Sequence, residues 1–353
     1  MTILQLGPII ASLKRHKLTA AVLTVQIALT FAVISNLAYM LTKRAEEVHL
    51  VSGVDEGHLS LVKVTDLVPS TNMAARHETD LAAIRAIPGV ESAVAVDALP
   101  FNGFDINLVT CTNPEALERA EPGSTSADRH CAATSIFDGT QGTLSTLGLQ
   151  LVAGRDFKPE ELVAVGPGQV IPDAHSVIVS ETYARNVLSD NAIGKSNFMK
   201  VPGIKEPLEL HVVGVVKHLL RPRLRDPQTN ENTILISGLP GSPIVTYAMK
   251  TLPNARDAVA RQAADALLRI DPKRLIPSDS VTTFERMRED YFQGDVTMIR
   301  LLVASALALF CVTAIGIAGL ANFWVQQRRW VIGIRRAIGA TRGDILRYFL
   351  VEN

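Results

Sequence analysis

The sequence predicts a membrane protein in which two transmembrane α-helices flank a large α+β extracytoplasmic domain. Three observations support this: two long windows without charge, basic residues concentrated outside those windows, and short β-branched runs alternating with helical patterns between them. The 353 residues include 35 basic and 35 acidic ones. A chain with no basic excess lacks the charge that nucleic-acid binding requires, so this class is excluded.

The two windows, at residues 18–41 and 301–325, account for the positive mean hydropathy of +0.21. About 20 apolar residues suffice to span a hydrocarbon core, and both windows are longer than that and free of proline. A core helix of a soluble protein normally has a polar face, which neither window has. The first window also exceeds the apolar region of a signal peptide and is followed by bulky and charged residues, which favours an uncleaved anchor.

Basic residues set the predicted orientation. Nine of the 35 basic residues but only two of the 35 acidic ones lie outside the two windows and the segment between them. Basic residues beside membrane helices mark the cytoplasmic side. We therefore expect both termini in the cytoplasm and the segment between the helices on the opposite side. The nine are Lys14, Arg15, Lys17, Arg328, Arg329, Arg335, Arg336, Arg342 and Arg347.

The segment between the windows has the mixed pattern of an α+β domain. The polar stretch at residues 115–129 and the Pro/Gly-rich stretch at residues 166–172 are expected to be loops. Asn254 is the expected N-cap of a helix that ends before Asp271 and Pro272. Strands are predicted at residues 59–65, 90–96, 176–180, 211–216 and 244–249, and further helices at residues 80–87 and 181–188.

A helix is expected to begin near Thr283 and to run into the second window as a stalk, because Gly294 alone does not end a helix. After residue 326 a basic helix leaves the membrane, breaks at residues 339–343 and begins again at Asp344 with an apolar stripe. A short amphipathic element of this kind suits docking to a partner protein. The alternative is that its basic residues bind anionic lipid headgroups.

No catalytic, cofactor or metal site is predicted. The sequence Gly194-Lys195-Ser196 ends like a phosphate-binding loop, but Ser189 stands where that loop needs glycine. His211 and His218 have no acidic or cysteine companion at ligand spacing.

Different roles are expected for the three cysteines. Cys111 and Cys131 lie in the exported segment, where they form either a disulfide or two reduced, buried thiols. Cys311, in the second window, is expected to be a packing residue, and small residues around it favour a specific face for helix packing.

The sequence IGIRRAIGAT at residues 332–341 resembles the permease subunits of MacB/FtsX-type ABC transporters. The stretch LGLQLVAGRDF at residues 147–157, and the segments 176–185, 193–195 and 212–216, occur in the order expected for that family. The resemblance implies that the turn after the second membrane helix meets the ATPase. Val331 departs from the Glu or Gln that the family often has. The implied contact residues are Gly333, Arg335, Arg336, Ala337, Gly339 and Ala340.

The resemblance also implies an organisation and a set of partners. ATP would bind a separate ATPase subunit, and this chain would bind no cofactor. The permease would be a homodimer or heterodimer in the bacterial inner membrane, in contact with lipid and with a periplasmic adaptor. Family members have four membrane helices, so we expect a fragment or a truncated product. The expected segments are 1–17 (cytoplasmic), 18–41 (first membrane helix), 42–283 (MacB-like periplasmic core domain), 284–300 (stalk), 301–325 (second membrane helix), 326–343 (coupling element) and 344–353 (start of a third helix).

The alternative is a sensor with an external ligand-binding domain. A cytoplasmic output domain is expected of a sensor, and the segment after residue 325 is too short for one.

Overall fold

The structure is a computed structural model that forms two compact units, Val51–Phe292 and a second unit made of Met1–Leu50 and Gln293–Asn353. It describes residues 17–67, 72–102, 105–120, 130–163, 175–188, 191–201, 204, 206–327, 330, 333–334, 337–339, 341 and 343. The elements are, in chain order, α1 (Lys17–Val48), β1 (Leu59–Thr65), α2 (Met73–Arg85), β2 (Val90–Val96), β3 (Ile106–Cys111), α3 (Pro114–Arg119), β4 (Cys131–Gly139), α4 (Thr143–Leu147), β5 (Leu151–Gly154), β6 (Ser176–Ser180), α5 (Glu181–Tyr183), β7 (Ser196–Met199), β8 (Leu208–Val216), β9 (Thr233–Ser237), β10 (Ile244–Thr251), α6 (Arg256–Ile270), β11 (Val281–Thr283) and α7 (Phe284–Gln327).

Within the described residues, two helices are long and apolar enough to cross a membrane; the qualifying stretches are Thr24–Val48 in α1 and Phe284–Gly319 in α7. Large apolar side chains on both helices are exposed: 73% of Phe31 and 72% of Ile315 are accessible. A core helix of a soluble protein would bury such residues, whereas lipid accepts them. The predicted windows at 18–41 and 301–325 lie within α1 and α7, and α7 begins one residue after the predicted start.

The larger sheet of the α+β domain closes into a ring. Its strand order is β5-β8-β6-β9-β4-β3-β7, and β7 also pairs with β8. Strand β8 therefore has β6 on one side, while its first half pairs with β7 and its second half with β5 on the other. Six strands thus form a closed barrel to which the short strand β5 is added, and closure removes the free edges on which other chains pair.

Alternating apolar side chains fill this barrel. Val177 and Val179 of β6, Leu210 of β8 and Ile234 and Ile236 of β9 are all inaccessible to solvent or nearly so. The hydroxyl of Tyr183, which lies 2.7 Å from the Thr110 hydroxyl, is also buried among them. A buried phenol needs such a partner, so the polar contact is part of the core.

The smaller sheet has the order β11-β1-β10-β2, and helices α2 and α6 pack on its apolar residues. Its strands come from both ends of the domain: β1 and β2 precede the barrel strands and β10 and β11 follow them. Ser60 of β1 is the register partner of Thr283 of β11, so the first and last strands of the domain are neighbours.

Several predicted elements need correction. The helix predicted at residues 80–87 begins at Met73, because the Asn72 side chain accepts the Ala75 N–H at 3.0 Å and caps it there. Asn254 is not the N-cap of α6; that position is Ala255, which has no side-chain acceptor. The predicted strand at 211–216 is longer and begins at Leu208.

The loop predicted at 115–129 starts with helix α3, while the rest of that stretch and the loop at 166–172 lie outside the described residues.

Candidate functional site: the membrane helices and the segment that follows them

Helices α1 and α7 contact each other through polar and small residues. The Thr30 and Thr313 hydroxyls are 3.1 Å apart, and each also donates to a carbonyl of its own helix, at Gln26 and Leu309. A Cβ added to Gly316 would lie 2.6 Å from Nε2 of Gln26, so the absence of a side chain there allows the close approach. Hydroxyl pairs and small residues are what helices use to associate in lipid.

An ion pair adds to this contact farther along the two helices. Arg44 of α1 donates to the carboxylate of Asp295 in α7. Residue 295 follows Gly294, and the helix continues through both positions. Of the small residues expected to form a packing face, Gly316 takes part in these contacts, whereas a Cβ added to Gly319 would meet no atom within 4 Å.

The first turns of α7 belong to the α+β domain, where an aromatic cluster holds them. The ring of Phe101 lies 6.0 Å from Phe284, 5.3 Å from Tyr291 and 5.2 Å from Phe292, measured between centroids. The Arg288 guanidinium lies 5.2 Å from the Phe101 ring centroid. Phe101 has a φ of +67°, a conformation that non-glycine residues adopt only when their surroundings enforce it.

Polar contacts also hold the first turns of α7 to the domain. Arg288 forms an ion pair with Glu56, and the Tyr291 hydroxyl accepts the Leu224 N–H at 2.9 Å. Glu56 precedes β1 and Leu224 follows β8. The start of α7 therefore contacts three separate segments of the domain.

The segment after Gln327 contains the predicted coupling residues. Gly333 and Ala337 are helical, and the Ile338 N–H donates to the Ile334 carbonyl at 3.1 Å. Gly339 has a φ of +99°, the left-handed conformation in which helices commonly end at glycine. Arg335, Arg336 and Ala340, and the predicted restart at Asp344, lie outside the described residues.

An apolar stripe on this segment was missed in the sequence analysis. Trp330, Ile334 and Ile338 are 79%, 40% and 81% exposed and recur every four residues. Residues at this spacing share one face of a helix. The four-residue spacing of these apolar residues is visible in the sequence, although basic residues lie between them.

Cys111 and Cys131 are joined by a disulfide in the structure. They are register partners at the ends of β3 and β4, and both are buried beside Leu117 of α3. The disulfide joins the two ends of the segment that connects β3 to β4. Cys311, on α7, is exposed.

Two buried carboxyl groups meet where the small sheet contacts the barrel. Asp97 follows β2, and its Oδ1 accepts the N–H of Asp138 in β4 at 2.9 Å. Burial raises the pKa of Asp97 to about 6, and hydrogen bonds from the Asp138, Asp97 and Ala98 N–H groups limit the rise. Burial, and then the negative charge of Asp97, hold the pKa of Asp138 well above its ordinary value.

A buried ion network lies under helix α2. The guanidinium of Arg274 donates to both carboxylate oxygens of Asp80, at 2.8 and 2.7 Å, and both side chains are 1% exposed. The same guanidinium lies 3.3 Å from Asp66, which is also bound by Arg76. Bidentate pairing of this kind compensates buried charge, so the network fixes α2 on the small sheet.

The described residues contain no group of three or more His, Cys, Asp and Glu side chains that could hold a metal ion. A groove of about 520 Å³ lies between α2 and α6, lined by residues that include Ile87, Asp265 and Arg269. Gln262, Asp265 and Arg269 are its polar lining residues, and alanine, isoleucine and proline residues form the rest.

Comparisons with known proteins agree on one family. The sequence profile of the FtsX-like permease C-terminal family matches residues 302–353. The macrolide export ATP-binding/permease protein MacB of Escherichia coli is 23% identical over 217 residues, covering 58% of this chain and 30% of that protein. A MacB protein of Paracoccus denitrificans is 24% identical over 281 residues, covering 71% of this chain and 39% of that protein.

The chain therefore spans about a third of the length of these curated relatives.

Solved structures were also found. The extracellular domain of the transporter YknZ from Gram-positive bacteria matches with 13% identity and a TM-score of 0.37, covering 62% of this chain and all of that one. The periplasmic region of MacB from Actinobacillus actinomycetemcomitans matches with 11% identity and a TM-score of 0.39, covering 69% of this chain and 95% of that one. With the family profile at its second membrane helix and MacB relatives over most of its length, the chain is similar to the MacB/FtsX-type permeases.

Proposed function

We propose that this chain is a permease part of an ABC transporter that transmits ATP-driven motion from a cytoplasmic ATPase to its α+β domain. The observation that carries the proposal is the match of the FtsX-like permease profile to residues 302–353. That range includes most of the apolar part of α7 and all six predicted coupling residues. ATP would bind outside this chain, whose sequence has no complete phosphate-binding loop.

The described contacts give a route for the motion. α7 is helical from Phe284 to Gln327 without interruption, and its first turns are held by Phe101, Glu56 and Leu224 in the domain. A helix fixed at one end to a packed domain moves that domain when its other end is displaced. The MacB relatives are named as macrolide exporters; for this chain, export of a substrate and mechanical action on a partner are both compatible with the proposal.

The coupling element would bind the ATPase through Arg335 and Arg336, with Gly339 ending the helix and the exposed stripe of Trp330, Ile334 and Ile338 completing the contact. An apolar stripe beside guanidinium groups suits a groove with an acidic rim. The rest of the proposed arrangement is a dimer in the bacterial inner membrane, with both termini cytoplasmic and the α+β domain in the periplasm.

The test is a double charge reversal, Arg335→Glu with Arg336→Glu, made in the full chain co-purified with its ATPase and reconstituted into lipid nanodiscs. We expect stimulation of the ATPase to be lost, because the guanidinium contacts are replaced by repulsion. The matched control is Arg328→Glu with Arg329→Glu, which makes the same change of charge in the same basic segment and should retain stimulation. Equal stimulation by both double variants, or equal loss in both, would refute the assignment of these residues.

A further inference from the structure

Two exposed histidines lie side by side on the outside of the barrel. His175 directly precedes β6, and its neighbour Ser176 is the register partner of His211 on β8. The His211 N–H donates to the His175 carbonyl at 2.5 Å, and the two imidazole centroids are 6.4 Å apart. His211 belongs to the exposed set of β8, because Leu208, Leu210 and Val212 alternate with it and are buried.

Hydrogen bonds orient both rings in the way that metal-binding imidazoles are usually oriented. Nδ1 of His175 lies 2.9 Å from the Glu209 carbonyl, which can only accept, so Nδ1 carries the proton and the lone pair is on Nε2. Nδ1 of His211 lies 3.1 Å from the Ser196 hydroxyl, which can accept in the same way. Metal-ligating histidines typically donate their second ring N–H to a carbonyl or another acceptor, which fixes the tautomer.

The distance between the rings fits a shared ion after a small adjustment. With Zn–N bonds of ~2.0–2.1 Å, two rings bound through Nε2 to one tetrahedral ion have centroids roughly 5 Å apart. The observed separation of 6.4 Å therefore has to shorten by about 1.4 Å when the ion binds. Glu209 lies on the same exposed side of β8 as His211, two residues before it, and its charge favours the approach of a cation.

We propose that His175 and His211 form a two-histidine site for a borderline divalent transition metal, Zn²⁺, Cu²⁺ or Ni²⁺. Imidazole nitrogen is a good ligand for these ions and a poor one for Mg²⁺ or Ca²⁺. No third His, Cys, Asp or Glu joins the pair within the described part of the chain, so water completes the coordination and the site is open. The ion links the entry to β6 with β8, through two histidines that are 36 positions apart in the chain.

The spacing of histidines in the sequence gave no sign of this pair. The nearest histidine after His211 is His218, seven positions later, and a linear pattern relates only such nearby residues. The parallel pairing of β6 with β8 instead places His211 beside His175.

The experiment titrates Zn²⁺ and Cu²⁺ separately into the detergent-purified full chain, prepared without a polyhistidine tag. Calorimetry gives affinity and stoichiometry, and the electron paramagnetic resonance spectrum of bound Cu²⁺ reports the coordinated imidazole nitrogens. We expect one ion per chain, two coordinated nitrogens, and binding weakened at least ~10-fold by His175→Ala and by His211→Ala. His130→Ala removes another exposed histidine of the same domain and should leave the affinity unchanged.

Three results would overturn the site: no binding by the unaltered chain, undiminished affinity in both single variants, or an equal loss in His130→Ala. Circular dichroism of each variant before titration identifies loss of fold, and His211→Gln then replaces His211→Ala, because it keeps a polar side chain of similar size on the strand while removing the ligand.

Discussion

The buried pair Asp97 and Asp138 makes the stability of the α+β domain depend on pH. Below pH 3.8 Asp97 is protonated in both the folded and the unfolded chain. Above about pH 6 it is ionised in both, and the folded chain then bears the unfavourable free energy of a buried charge. A pKa raised from 3.8 to about 6 corresponds to about 3 kcal/mol, at 1.36 kcal/mol for each unit. The stability contributed by this group is thus present below pH 3.8 and lost as the pH rises through 6.

Replacing Asp97 by asparagine should remove this dependence. The Asn side-chain oxygen can still accept the Asp138 N–H, but it cannot ionise. We expect the stability of Asp97→Asn relative to the unaltered chain to increase by about 2.4 kcal/mol between pH 4 and pH 7.5, since about 0.6 kcal/mol of the difference is already present at pH 4. Any fixed effect of the added amide N–H groups is the same at both pH values and does not enter this difference. Burial, and then the charge of Asp97, also raise the pKa of Asp138.

The assay is urea unfolding of the detergent-solubilised chain, followed by far-ultraviolet circular dichroism at several pH values. Asp279→Asn, at an exposed aspartate of the same domain, is the control and should follow the unaltered chain at every pH. A stability difference between Asp97→Asn and the unaltered chain that stays constant from pH 4 to 7.5 would refute the reasoning.

Three further predictions follow from contacts described above. Gly316→Leu should reduce copper-catalysed cross-linking of a Thr30→Cys/Thr313→Cys pair severalfold, because the new side chain meets Gln26, whereas Gly319→Leu, where a Cβ meets no atom within 4 Å, should leave it intact. Opening the Cys111–Cys131 disulfide by substituting both with serine should lower the unfolding free energy by about 3 kcal/mol, the value for a loop of this length; a loss below about 1 kcal/mol would contradict it. Arg274→Met leaves Asp80 buried without its bidentate partner and should lower the unfolding free energy by about 3–5 kcal/mol in the same denaturant assay, while Arg269→Met on the exposed side of α6 should have little effect.

The sequence predicts correctly those elements whose ends are marked by neighbouring residues. Strands β1, β2 and β6 occupy the predicted residues because each is a short β-branched run bounded by polar or turn residues. β4 was not predicted: its nine residues are all buried, yet they include Thr134, Ser135 and Asp138, so neither alternation nor an apolar run marks it. The pairing of β7 with β8 that closes the barrel depends on contacts between strands and has no signature along the chain.

The same distinction applies to the functional residues. The six predicted coupling residues come from one contiguous motif, and three of them lie within the described residues at the end of a helix. The aromatic cluster around Phe101 brings residues at the start of α7 together with a residue nearly two hundred positions earlier. No pattern along the sequence connects these positions. Residues of a contiguous motif can therefore be predicted from the sequence, whereas residues that only the fold brings together cannot.

The order of strands has a consequence for how this domain is made. All barrel strands lie between residues 106 and 237, whereas the small sheet needs β10 and β11, which end at Thr283. As the chain is synthesised from its N-terminus, the barrel can complete its hydrogen bonding before the partners of β1 and β2 are available. Joining β1 to β11 closes a loop of more than two hundred residues, a step that is slow unless the intervening chain is already compact. If the barrel folds early, the chain between β1 and β11 is compact and the two strands find each other sooner. Until Thr283 has been synthesised, β1 and β2 can misassemble or be bound by a chaperone.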